Sequence, residues 1–90
     1  NTLDLSAVPV IKEKTHLPII VDPSHATGYY KYIESMALAA VAAGADGLEI
    51  EVHNDPPHAW SDGAQCLKPD KFADVIAKCR KVAAAIGREM

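Results

Sequence analysis

The residues best suited to chemistry lie in two short stretches, Asp22-Pro23-Ser24-His25 and Glu51-Val52-His53, with Ser61-Asp62-Gly63 following in the next loop. The first ends an apolar run and the second a stretch with β-branched Ile50 and Val52, so each sits where a strand would finish. Parallel neighbouring strands would bring one imidazole and two carboxylates, His25, Glu51 and Asp62, to the same face. Mixed imidazole nitrogen and carboxylate oxygen suits a divalent cation such as Mn, Fe, Co or Zn. Three ligands leave at least one position for a further ligand or a substrate oxygen. The plainer alternative is that Asp22 and Asp62 cap turns while His25 hydrogen-bonds locally.

Those residues need elements to position them. Ser6 is placed to cap a helix with Pro9 in its first turn, where a missing N–H costs little. Val8, Val10 and Ile11 would be the apolar side of that helix, which fades at Lys12-Glu13-Lys14. Leu17-Pro18-Ile19-Ile20-Val21 is an unbroken apolar run, expected to be a strand buried on both faces. After a turn over residues 23–28, Ile33, Met36, Ala37, Ala40 and Val41 recur at helical steps, and Gly44 stands where a left-handed stop is expected. Residues 47–53 form a second candidate strand. A polar loop over residues 54–68 leads to a last helix with an apolar stripe of Phe72, Val75, Ile76, Cys79, Val82, Ala83 and Ile86.

The order α-β-α-β-α with helical crossovers makes the fold class α/β and the two strands parallel. Two parallel strands alone leave open edges and uncovered faces. They must pair with further strands, and a (β/α)8 barrel of about 250 residues is the familiar arrangement. In such a barrel the functional residues gather at the carboxyl ends of the strands.

Composition narrows the partners. Ninety residues with a net charge of −3 and no basic patch argue against nucleic acid. No apolar run approaches the roughly 20 residues of a membrane span, and no signal-peptide pattern opens the chain. Two cysteines, Cys66 and Cys79, are too few for a disulfide framework, which favours a reducing, cytoplasmic compartment. A start at Asn1 fits an excised or cleaved segment.

Several motifs then stand in order: residues 22–28 (Asp-Pro-Ser-His-Ala-Thr-Gly), residues 43–48 (Ala-Gly-Ala-Asp-Gly-Leu), Glu51-Val52-His53 and Ser61-Asp62-Gly63. In sequence and spacing they resemble the type I-beta group of 3-deoxy-D-arabino-heptulosonate 7-phosphate (DAHP) synthases, and residues 1–9 resemble the helix before that barrel's seventh strand. The resemblance implies that residues 1–90 are the carboxy-terminal third of a TIM barrel: helix six, strand seven, helix seven, strand eight and helix eight. It implies condensation of phosphoenolpyruvate with erythrose 4-phosphate toward aromatic amino acids, by a homo-oligomeric enzyme. His25, Glu51 and Asp62 would match three of four metal ligands, with His25 and Asp62 also counted as catalytic. The fourth ligand is a cysteine on an early strand, outside these ninety residues, as are most of the phosphate-holding lysine and arginines. The segment alone is therefore expected to be inactive.

Other residues read more plainly. Cys79, on the apolar stripe, is expected to be a buried, inert thiol; Cys66 stands where the resembled group often has serine, and an adventitious ligand role is its minor reading. His53 shares Glu51's side of the strand, either supporting the site or simply packed at the strand end. His16 belongs at the opposite end of the barrel and His58 in solvent. Glu49, at a position usually apolar, points with Glu51 and would need a partner in a barrel interior. Tyr29-Tyr30 replaces basic residues that commonly follow Gly28, which weakens any phosphate role for this turn. The alternatives are an octulosonate 8-phosphate synthase using arabinose 5-phosphate, whose turn usually has threonine where Ser24 stands, and a non-catalytic self-associating βα module.

Overall fold

The computed structural model describes residues 3–53 and 66–90. They form α1 (Ala7–Lys14), β1 (Ile20–Val21), α2 (Pro23–Thr27), a 3-10 turn (Tyr30–Tyr32), α3 (Ile33–Ala43), β2 (Gly47–Leu48) and α4 (Pro69–Ala85). β1 and β2 are parallel, with Ile20 opposite Gly47 and Val21 opposite Leu48. The Asp46 N–H donates to the Ile19 carbonyl at 2.8 Å and the Glu49 N–H to that of Val21 at 2.9 Å, extending the ladder one residue each way.

α3 is the centre of packing because its small residues let neighbours approach from two sides. Ile33, Ala37 and Val41, at successive four-residue steps, meet Val75, Cys79 and Ala83 of α4 together with Leu67. Ala40 faces elsewhere, joining Val8 of α1, Val21 of β1 and Ala45. Gly44, at φ 103°, ends α3 in the left-handed conformation that the sequence anticipates. Among the described residues no helix is long and apolar enough to cross a membrane.

Strand periodicity sorts β1 and β2 into two faces. Ile19, Val21, Leu48 and Ile50 pack toward the helices. Ile20 and Gly47 face the other way, so close that a Cβ at Gly47 would meet the Ile20 side chain at 2.7 Å. The expectation of a first strand buried on both faces is not met. Leu17 and Ile20 are each 60% exposed, because these residues supply helices for only one side of the sheet. Glu49 is likewise exposed rather than enclosed. The paired strands are also shorter than the apolar runs, since ladder hydrogen bonds extend only as far as a partner does.

The first helix differs in two details. Ser6 occupies the N-cap of α1 but its side chain does not cap; its hydroxyl and N–H turn back to Asp4 at 2.6 and 3.2 Å. Val8 is buried, whereas Val10 and Ile11 are 49% and 44% exposed. Residues 23–28, expected as a turn, contain a five-residue helix. Asp22 caps it, Pro23 pre-sets its first φ, and Gly28 at φ 68° stops it.

Below the sheet, Asp46 ties three parts of the chain together. It accepts the Ile19 N–H at 2.8 Å, Lys12 of α1 at 3.0 Å and Arg88, beyond α4, at 2.9 Å. The Ile19 amide first, then Lys12 and Arg88, hold its carboxyl down to about 2. Arg88 also reaches the carbonyls of Gly44 and Ala45, satisfying acceptors at the end of α3. Across α3 and α4, Glu34 bridges Lys71 and Lys78 at 3.0 Å each. Hydrogen bonds from these lysines lower the Glu34 carboxyl and raise both ammonium groups.

Candidate active site

The candidate site is built where β1 gives way to α2. Asp22 leaves β1 and accepts the backbone N–H of His25 at 2.8 Å, which starts α2 directly at the strand end. That short helix projects His25 over the end of β2. The second carboxylate oxygen of Asp22 meets His25 Nδ1, and the other ring nitrogen, Nε2, lies 2.6 Å from Glu51 Oε1. One imidazole is thus flanked by two acids from adjacent parallel strands.

Glu51 is held on both sides of its backbone. Its N–H donates to Ser24 Oγ at 3.0 Å, and its carbonyl accepts the Leu67 N–H at 2.9 Å. Ser24 is fully buried, so its hydroxyl is fixed where it receives that amide. Residues 66 and 67 run alongside the chain beyond β2, with Val52 and Leu67 forming a parallel bridge and the His53 N–H donating to the Leu67 carbonyl at 2.8 Å. This places the buried Cys66 thiol 3.5 Å from Glu51 Oε2. The side chains of His25, Glu51 and Asp22 keep 47%, 30% and 28% exposure, so the cluster is open to a solute.

Of the residues singled out in sequence, His25 and Glu51 therefore meet; Asp62, with His58, lies outside the described residues. His53 is half-buried beside Leu67, and His16 is exposed on the chain leading into β1. Cys79 is fully buried on α4, and burial, with Glu34 nearby, pushes its thiol up. Tyr29 stacks at 5.0 and 5.6 Å from Tyr30 and Tyr32, with Lys31 Nζ 5.7 Å from its ring centre. Asp22 capping a turn and His25 bonding locally, the plainer reading of the sequence, are both seen; the Ser24–Glu51 tie and the approach of Cys66 to Glu51 were not anticipated. The Asp22 contacts have a plain signal: Asp-Pro is a common cap and first position of a helix, and a helix puts residue 25 back over residue 22.

Among the described residues no three His, Cys, Asp or Glu side chains are grouped as a metal ion requires. They provide a pair, and that pair fits a cation in kind and spacing. Two acceptors 2.6 Å apart need a proton or a cation between them. Two ligands bonded to one ion at about 2.0–2.2 Å stand roughly 3 Å apart, so His25 and Glu51 need open only slightly.

Two solved forms of DAHP synthase from Thermotoga maritima, one of them truncated, superpose with a TM-score of 0.96 at 45% identity. Each match covers 99% of this chain, and 34% of the truncated protein or 26% of the other. The fold is that of part of a TIM-barrel enzyme. The chain belongs to the DAHP synthetase I family, whose profile matches residues 1–87. Phospho-2-dehydro-3-deoxyheptonate aldolase of T. maritima is 46% identical over 97% of this chain and 26% of its own length. A 2-dehydro-3-deoxyphosphooctonate aldolase of Koribacter versatilis is 33% identical over 93% of this chain and 34% of its own length. The chain thus spans about a quarter to a third of the relatives it matches.

Proposed function

We propose that these ninety residues form the carboxy-terminal part, barrel helix six to helix eight, of a metal-dependent, cytoplasmic, homo-oligomeric synthase that condenses phosphoenolpyruvate with erythrose 4-phosphate. The observation that carries this reading is the meeting of His25 Nε2 and Glu51 Oε1 at the carboxyl ends of adjacent parallel strands, in a chain of this family. His25 and Glu51 would hold the cation, with Asp62 as third ligand from the sequence pattern and a cysteine from elsewhere in the protein as fourth. When bound, a divalent ion supplies Lewis acidity toward a substrate carbonyl oxygen.

The chain's own residues supply the frame. Asp22 orients the imidazole, and Ser24 and Leu67 clamp the Glu51 backbone from opposite sides. Ser24 does so without presenting a polar group to solvent. Cys66 donates to the second Glu51 oxygen, which directs the first toward His25. The remaining carbonyl and phosphate anchors would come from strands outside these residues, so the isolated segment has no turnover.

The greater identity to the heptonate enzyme than to the octonate enzymes favours erythrose 4-phosphate over arabinose 5-phosphate. The test is an assay of the full-length protein carrying this chain with phosphoenolpyruvate and each sugar phosphate in turn. Heptulosonate product is expected, lost on chelation and restored by Mn, Fe(II), Co or Zn. Octulosonate as the main product, or full activity after chelation, would contradict the reading.

A further inference from the structure

We propose that Asp22 is a positioning residue acting through His25: its carboxylate holds the ring in the Nδ1–H form and thereby presents the Nε2 lone pair to the cation site shared with Glu51. The proposal rests on the cation reading above, although the form of the ring is measurable without metal.

One side-chain oxygen suffices to accept an exposed helix N–H, and serine or asparagine would serve as well. Asp22 uses one oxygen for the His25 backbone N–H at 2.8 Å and places the other against Nδ1 of the same residue. An ionised carboxylate only accepts hydrogen bonds, so the Nδ1 contact requires the proton on that nitrogen. Nε2 faces Glu51 Oε1 at 2.6 Å, a gap that takes a proton when no cation is there, so a cation replacing that proton meets the Nε2 lone pair. Pro23 fixes the backbone between the two residues, and the buried Ser24 prevents the turn from rolling. A carboxylate behind an imidazole that faces a cation is a recurrent arrangement, and it sets both ring orientation and ligand basicity.

Two variants of the full-length protein separate this role from capping. Asp22→Ser keeps a cap oxygen and removes the ring acceptor. Asp22→Asn keeps the cap and the length, but its amide N–H2 donates to Nδ1 and so favours the Nε2–H ring. Mn2+ affinity by chelator competition should fall about 10–100-fold in Asp22→Asn and less in Asp22→Ser. 15N NMR of the metal-free, histidine-labelled protein should show a proton on His25 Nδ1 in the wild type and its loss in Asp22→Asn, which keeps only Nε2–H. An Nδ1 proton retained in Asp22→Asn, or wild-type Mn2+ affinity in both variants, overturns the proposal. A His25→Gln control that binds Mn2+ like wild type would instead overturn the cation reading and this proposal with it.

Discussion

Replacing His25 by alanine in the full-length protein should lower kcat/KM by about 10^3-fold or more while leaving the fold intact. On the proposed reading the magnitude is that of losing a ligand of an ion that would contribute several kcal/mol of Lewis acidity, at about 1.36 kcal/mol per tenfold. The fold should survive because the His25 side chain is 47% exposed and belongs to neither buried cluster. Metal content measured after dialysis should fall in parallel, and the far-UV circular dichroism spectrum should not change. Cys66→Ser is the contrasting variant. Serine still donates to Glu51 Oε2 from the same position, so a loss under tenfold is expected. Near-wild-type turnover in His25→Ala, with metal retained, would remove the imidazole from the site.

The second large effect concerns the isolated chain. One face of the β1–β2 pair carries Ile20, 60% exposed, with Leu17 equally exposed on the approach to it. Both strand edges lack further strands among the described residues. An open edge beside an uncovered apolar face favours association. Light scattering on residues 1–90 at micromolar concentration should therefore give at least twice the 9.6 kDa chain mass. Ile20→Lys should shift the distribution toward monomer without touching the helix-facing cluster around Val21 and Ala40. A cooperative monomer in the unmodified chain would contradict this account of the exposed face.

The elements that sequence reads well are those whose patterns are satisfied inside these residues. The stripe of α4 is legible because Val75, Cys79 and Ala83 find α3 within the same chain, and the stop at Gly44 because its left-handed backbone is local. The strand runs are misleading for the opposite reason: Leu17 and Ile20 are apolar for a layer that these residues do not supply. α2 is hidden by its length, since five residues show no periodicity and only the Asp22-Pro23 start and Gly28 stop mark it. Pairing of His25 with Glu51 follows from strand ends and parallel order, so it is legible. The grip of Ser24 and Leu67 on the Glu51 backbone depends on tertiary placement and leaves no mark in spacing. Asp46 teaches the same lesson: its motif is plain in the sequence, but its partners Lys12 and Arg88 lie 34 and 42 residues away.

The most direct test is diffraction from crystals of the full-length protein soaked in Mn2+, with anomalous data collected at the manganese edge. An anomalous peak bonded at about 2.0–2.3 Å to both His25 Nε2 and a Glu51 oxygen, with Asp22 against Nδ1, is the result the structure predicts. Manganese bound elsewhere, with His25 and Glu51 still sharing their 2.6 Å contact, would contradict it.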